Sequence, residues 1–328
     1  MKRQRGVALL VVLMILAIMA SLAANMTLHF RANLQQQSMV LQQTQLQWLA
    51  RSAETLVLSQ LQQALADTPK VTALAQPVLQ QAALETPSGY RLRYQLVDAQ
   101  SCFNLNSLRG NVPPEPGQPE PYNTQVLRAL LQQAGVSSDQ TDQFIDTLSD
   151  YLDDDDISRP AGAEDARYKA LTPSRAAANQ LMFSLNELAS LPNLPQTALQ
   201  SIRDQLCVLP EEGQLIDINT LTERHAPLLS ALFLGSLDQE AARKLIAARP
   251  HNGWPAVEAF FEAAQQANYT LEIAGDALKP LLAVRSDYFI LHTQGQFEMQ
   301  TNSMSSLIYY NSETGGLSVY QRRYRIID

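Results

Sequence analysis

An apolar run opens the chain, and the hydrophobic period then changes twice. From Val7 to Leu28 stand 22 residues without a charge. As a helix they span roughly 33 Å, enough to cross the hydrocarbon core of a bilayer. Lys2, Arg3 and Arg5 come just before the run, and such charges hold that end in the cytoplasm. Everything after His29 is therefore expected outside it. From Phe30 to about Asp67 the chain is rich in Gln, Leu and Ala and lacks Pro and Gly, a composition that favours helix. Leu34, Leu41 and Trp48 recur every seven residues, and Leu46, Leu49, Ala53, Val57, Leu61 and Leu65 follow at steps of three and four. That is an amphipathic stripe. Pro69 ends it, because proline disfavours helix at the residue before it. One helix from Val7 to about Asp67 is on the order of 90 Å long. Its first third suits lipid or other helices. Its last third suits a globular head, with Trp48 expected between stalk and head.

Residues 70–87 are ambiguous, with a short helix expected over Ala73–Leu84. Tyr90-Arg91-Leu92-Arg93-Tyr94-Gln95-Leu96 then alternates strictly, the pattern of a half-buried strand in an antiparallel sheet. Asn111 to Pro121 is Pro-rich and reads as an extended loop. Beyond it the period turns helical. Helices are expected over Thr124–Ala134, Ser138–Leu152, Pro173–Met182, Pro195–Leu206, Leu221–Leu234, Asp238–Ala248 and Pro255–Gln266, with a short turn opening at Asn186. After Arg285 strand patterns return over Tyr288–His292, Phe297–Thr301, Leu307–Tyr310 and Leu317–Ile326, with a turn at Asn311–Gly316. The order predicts an α+β roll split by a helical insertion.

Three segments share the pattern apolar-x-apolar-Asn-x-Leu: Phe103–Leu108, Phe183–Leu188 and Ile216–Leu221. Each reads as an extended segment delivering an Asn N-cap to a helix. The third faintly resembles helix-hairpin-helix modules that bind DNA backbones, but its turn, Phe233–Asp238, holds a single glycine. A helical packing unit, with Trp254 in its core, is the simpler reading.

The formal charge is −8, and losing Lys2, Arg3 and Arg5 would make it −11. Such a balance argues against nucleic acid as a partner. Cys102 and Cys207 are the only cysteines. Outside the cytoplasm they predict one disulfide, the alternative being two unrelated buried thiols. The densest chemistry is acidic. Asp142 to Asp165 holds nine acidic residues against Arg159 alone, with Asp153, Asp154, Asp155 and Asp156 contiguous and Glu164 and Asp165 close behind. A divalent cation would relieve their repulsion, and calcium takes six to eight oxygens on a flexible loop. Asp154, Asp156, Ser158 and Asp165 fall at positions 1, 3, 5 and 12 of an EF-hand count, but Arg159 stands where that loop needs glycine. The residues alone leave an irregular calcium loop or a solvated acidic loop. His29, His225, His251 and His292 are scattered, and no nucleophile elbow, P-loop or dinucleotide fingerprint occurs. A non-catalytic protein is expected, with His225 a surface or capping residue.

The start of the chain allows three readings: a signal peptide cut near Ala24, an uncleaved anchor, or a prepilin-type leader cut after Gly6. The third is favoured. The basic residues end in a glycine that abuts the apolar run, and the helix continues past the membrane edge. In this arrangement the chain resembles the type IV pilins and type II secretion pseudopilins. Most of that family carry Glu at the fifth mature position, where it pairs with the neighbouring subunit's N-terminal amine. Counted from Val7, that position is Val11. Charges left unpaired in an apolar bundle are costly, so a subunit without the carboxylate suits the first place in a filament. With the length of the chain, this gap resembles the K family of minor pseudopilins of the general secretion pathway.

The resemblance implies a pilin-like long N-terminal helix on an antiparallel β roll, interrupted by a large mainly α-helical insertion. The parts are a leader 1–6, a transmembrane part 7–28, stalk and first roll 29–109, insertion 110–284, and a closing β meander 285–328. It implies cleavage and N-methylation at Gly6 and Val7 by a prepilin peptidase. It further implies calcium in the insertion, with Asp153, Asp154, Asp155, Asp156, Glu164 and Asp165 as candidate ligands. The implied place is the inner membrane, head in the periplasm, at the tip of a pseudopilus with the I and J minor pseudopilins. Secreted substrates are candidate partners of the head. Alternatives are a minor pilin of a type IV pilus and a membrane-anchored periplasmic binding module.

Overall fold

The computed structural model describes residues 5–111, 118–192, 194–267 and 275–324. Lys2, Arg3, most of the Pro-rich stretch and the end of the last expected strand lie outside them. Helix α1 runs without a break over Arg5–Asp67. Leu46, Ala50, Ala53, Val57, Leu61 and Leu65 are buried along its head-facing side. Trp48 is not the expected stalk-to-head contact, being 66% exposed. Two positions beyond Leu46 is roughly 200° around a helix, so Trp48 points away from the head. The seven-residue series ending at Trp48 is a second, outward stripe.

The head begins with β1 (Ala82–Glu85) and β2 (Arg91–Asp98), and closes with β7 (Tyr288–Phe297), β8 (Gln300–Asn311) and β9 (Gly316–Tyr324). These form one antiparallel sheet ordered β1-β2-β7-β8-β9. The expected helix over Ala73–Leu84 is instead a short turn at Pro77–Leu79 followed by β1, which pairs with β2 as an edge strand. The four expected closing strands are three longer ones. Thr293, Gly295, Asn302 and Ser306 alternate onto the stalk-facing side, buried, and hydrophobicity does not mark them. Gly295 makes the approach of the stalk close. A Cβ on it would lie 3.1 Å from Leu46 Cδ2. Further along, Val57, Leu61 and Leu65 pack on Leu96, Phe289, Leu291 and Ile308.

Between β2 and β7 the chain leaves the sheet and builds the helical insertion. In order it contains β3 (Phe103–Asn104), α2 (Tyr122–Gln133), α3 (Ser138–Leu152), α4 (Asp165–Lys169), α5 (Gln196–Ser201) and β4 (Leu206–Cys207). Then come β5 (Ile216–Asp217), α6 (Ala226–Leu232), α7 (Gln239–Ala247), α8 (Val257–Gln266), α9 (Gly275–Leu278) and β6 (Leu282–Ala283). The helix expected over Pro173–Met182 does not form. That segment is extended and delivers Met182 to Asn106. The expected Pro195–Leu206 helix shortens to α5, because Leu206 and Cys207 pair with Phe103 and Asn104. The expected Leu221–Leu234 helix begins only at Ala226, after a turn capped by Thr222 and His225.

The insertion is built twice on one plan. Among the described residues each half opens on a short strand, passes through four α-helices and ends on a strand parallel to the first: β3 with β4, then β5 with β6. Asn106 accepts from Met182 N (2.9 Å) and donates to the carbonyls of Met182 (3.0 Å) and Leu209 (2.7 Å). Asn219 accepts from Trp254 N (2.7 Å) and donates to the carbonyls of Trp254 (3.0 Å) and Val284 (3.2 Å). The shared Asn is thus a buried backbone clamp rather than the expected N-cap. Capping falls to its neighbours, Asn104 in the first segment and Ser184 in the second. The Phe183–Leu188 segment supplies no clamp; Asn186 is exposed.

Candidate metal centre

The acidic residues are carried by the loop leaving α3. Ser137 caps the helix by accepting from Gln140 N, and Asp153 ends it in extended backbone. Asp150, in the last turn, is fully buried. Its carboxylate accepts from Arg159 N at 3.3 and 3.2 Å and faces the Arg159 guanidinium at 3.4 Å. Gly162 lets the chain pass, since a Cβ there would sit 2.0 Å from Asp150 Oδ2. Arg159 also reaches Asp153 at 3.7 Å and donates to Asn111 O at 2.5 Å. The loop thereby folds back so that Glu164, at the start of α4, meets the first aspartates.

Carboxylate oxygens of Asp153, Asp155 and Glu164 lie within 4.8 Å of one another. Glu164 is buried, and both its oxygens, with Asp153 Oδ1 and Tyr168 Oη, have no hydrogen-bond partner. Burial pushes the Glu164 carboxyl up to about 7, with Asp150, Asp153, Asp156 and Asp155 adding repulsion. Asp150 and Asp153 are raised too, by burial first. Orphaned, converging oxygens of this kind fit a hard cation, which takes oxygen ligands.

The other three candidates point elsewhere. Asp154 is exposed and faces Arg109 at 3.9 Å. Asp156 accepts from Asn179 Nδ2 at 3.4 Å. Asp165 accepts from Lys169 at 2.7 Å and from Ala177 N at 3.0 Å, and the Lys169 bond leads in holding its carboxyl below the usual range. The EF-hand count, which needs Asp154 and Asp165 together, is therefore not realised. Asp150 escaped the sequence reading. Its mark was an acid set among Leu148, Tyr151 and Leu152 at the buried end of an amphipathic helix.

Cys102 and Cys207 form the expected disulfide, with Cα atoms 5.7 Å apart. The bond joins the exit from β2 to β4. His225 is a cap, accepting from Thr222 N at 2.9 Å, and burial pushes its pKa down to about 4. Trp254 is buried in the insertion. Gly6 and Val7 lie within α1, and Val11 is half-exposed on it, with no part of the head covering it. From Leu9 onward α1 is long and apolar enough to cross a membrane.

Profiles described as type II secretion system (T2SS), protein K, match residues 101–211 and 216–285. Type II secretion system protein K of Klebsiella pneumoniae is 36% identical over 326 residues, covering 99% of this chain and 97% of its own. The chain belongs to the type II secretion system protein K family. The protein K of Pectobacterium carotovorum subsp. carotovorum is 33% identical, covering 98% and 97% of the two chains. Among solved structures, a chain of the GspK-GspI-GspJ complex from enterotoxigenic Escherichia coli matches with a TM-score of 0.75. It is 29% identical and covers 87% of this chain and 97% of its own. The likeness to solved protein K bears out the α+β fold, with long N-terminal helix, antiparallel sheet and helical insertion. The two profiles of the protein K family also divide the chain close to where the clamped halves of the insertion do, at 207 and 216. Family membership places the chain in type II secretion rather than in a type IV pilus.

Proposed function

We propose that this chain is the minor pseudopilin that heads the periplasmic pseudopilus and starts its assembly with other minor pseudopilins. The carrying observation is Val11. A pilin-like subunit whose fifth mature residue is uncharged has no carboxylate to pair with the amine of a subunit ahead of it. Two features support the reading. The apolar first half of α1 is bare of the head and presents a surface for neighbouring helices. The insertion widens the head beyond the roll. The solved relative is in complex with GspI and GspJ, and the corresponding I and J subunits are the proposed partners here. Prepilin peptidase cuts after Gly6, Val7 becomes the methylated N-terminus, and the stalk stays in the inner membrane with the head in the periplasm. The role is structural and asks for no catalytic group.

Calcium belongs to the same reading. Asp153, Asp155 and Glu164 would hold it, with Asp150 behind them orienting the loop through Arg159. The ion would neutralise the carboxylates and fix the loop between α3 and α4. The deciding experiment is the mass of the N-terminal peptide from membranes containing the whole secretion machinery. A methylated start at Val7 supports the assembly role. A start near Asn25 removes the stalk and sinks it.

A further inference from the structure

Stalk, roll and insertion meet at one buried polar node. The roll brings Asp98, at the end of β2. The insertion brings Asp217, on β5, and Thr220 just after it. Ser286 stands where the chain passes from β6 to β7. All four are buried. Beyond α1, Thr72 donates its N–H to Val284 O at 2.9 Å and accepts from Ser286 N at 3.0 Å, so the stalk end is tied to the same place. Asp217 N donates to Gln100 O at 2.9 Å, and Gln100 Oε1 accepts from Asp287 N at 2.6 Å. Carboxylates so placed are costly unless they are paired.

Their hydrogen-bond partners are neutral. Asp98 accepts from Gln100 N at 2.7 Å and from Thr220 Oγ1. Asp217 accepts from Asn219 N at 2.8 Å and from Ser286 Oγ at 3.1 Å. The Ser286 hydroxyl also reaches Asp98, and the Thr220 hydroxyl also reaches Asp217 O at 3.1 Å. Each hydroxyl carries one hydrogen, so the two cannot satisfy both carboxylates and that carbonyl at once. A proton held on one carboxyl supplies the missing donor. The cation acting on Asp217 is Arg249, beyond α7, which donates to Leu221 O at 2.5 Å. Arg285 and Asp287 flank Ser286 and pair with each other at 2.9 Å. The stalk end brings the uncharged Thr72.

The repeated plan of the insertion does not ask for an acid here. Asn104 holds the equivalent place on β3. It accepts from Asn106 N at 3.2 Å, as Asp217 does from Asn219 N, and its amide donates to the carbonyls of Glu211 (2.9 Å) and Gly213 (3.0 Å). A neutral amide thus serves the first half. In the second a carboxyl takes its place and meets the charge of Asp98. Burial raises both carboxyls, Asp98 to about 6 and Asp217 well above its ordinary value.

We propose that Asp98 and Asp217 share a proton and that this proton seats the insertion on the roll and the stalk end, making the node a proton-operated joint. With the proton held, the donors suffice and the joint is closed. When it leaves, two carboxylates repel each other across the joint and the insertion loosens. The joint shares no residue with the acidic loop and rests on neither the calcium reading nor the assembly reading.

The test is hydrogen exchange of the full chain in detergent, read by mass spectrometry at pH 5 and pH 8 and corrected for the intrinsic pH dependence of exchange. Residues 98–100, 216–221 and 283–288 should exchange about tenfold faster at pH 8, one unit of pKa being a factor of ten, while α3 and the middle of β8 change little. Asp98→Asn and Asp217→Asn should each remove that response. Glu164→Gln should keep it, which separates the joint from the acidic loop. Equal protection of the native chain at the two pH values overturns the proposal. So does a response that survives both Asn variants, one that vanishes in Glu164→Gln, or one that spreads evenly over α3 and β8.

Discussion

At the scale of single residues, two buried asparagines hold the insertion together. Each clamp satisfies one backbone N–H and two carbonyls that packing has cut off from water. Removing such a partner leaves groups that cost about 1–3 kcal/mol each. Asn106→Ala and Asn219→Ala are expected to lose roughly 3 kcal/mol or more of stability, measurable by urea unfolding. A loss below about 1 kcal/mol would show that water replaces the side chain. Asp98 and Asp217 form a second residue-scale feature where roll meets insertion. Asp98 accepts from Thr220 Oγ1 and Gln100 N, and Asp217 from Ser286 Oγ at 3.1 Å and Asn219 N at 2.8 Å. Burial pushes Asp98 up to about 6, and burial together with the Asp98 charge raises Asp217. A carboxyl raised on folding stabilises the fold below its unfolded pKa, near 4, and that contribution fades as pH rises through the folded value. Stability is therefore expected to fall between about pH 4 and pH 6 and beyond. Asp98→Asn should flatten that fall in urea midpoints taken across the range.

At the scale of elements, the stalk is joined to the sheet by close packing and by polar contacts, among them an ion pair. Arg322 grips Glu54 at 2.8–3.1 Å and Ser306 Oγ donates to it at 2.6 Å. Burial pushes the Glu54 carboxyl up, but those partners outweigh it and hold it below the usual range. Its stabilisation is thus present at neutral pH and lost as pH falls through the lowered value. The packing is testable at Gly295. Gly295→Ala presses a methyl onto Leu46 and should cost about 1 kcal/mol or more. Combined with Leu46→Ala it should cost less than the sum of the two single changes, a coupling that a double-mutant cycle reads. Additive losses would mean that stalk and sheet do not meet there. Periodicity revealed the stalk and β2 but not the full length of β7 and β8. Gly295 and Ser306 face the stalk without being apolar, because one leaves room for Leu46 and the other donates to Glu54.

At the scale of the whole molecule, the disulfide and the acidic loop bear on stability from a distance. The Cys102–Cys207 bond spans 105 residues, and a loop of that size is worth roughly 4–5 kcal/mol in the chain-entropy model. Reduction should lower the thermal midpoint clearly, and the first half of the insertion, which the bond closes, should lose amide protection before the sheet. For the proposed calcium, added ion should raise the thermal midpoint of the native chain, with a gain that grows with concentration. Glu164→Gln should abolish that gain while leaving the ion-free midpoint equal or higher, because a buried, repelled carboxyl has been removed. Calorimetry without calcium binding to the native chain would remove the ion from the account.

Along the chain, period and punctuation alone determined the stalk, the alternating strand, most helices of the insertion and the return to strands. These are local properties: one face of each element is apolar, or a proline or glycine stops it. The basic start, the Gly6 that abuts the apolar run and the uncharged Val11 are local features too. Tertiary structure decided the rest. It turned Trp48 outward, because the helix can bury only one of its two stripes. It made the shared asparagines clamps, since their partners lie 76 and 35 residues away. From six candidate carboxylates it gathered Asp153, Asp155 and Glu164. Which acids converge depends on how Asp150 and Arg159 fold the loop, and those contacts have no period for a sequence to display.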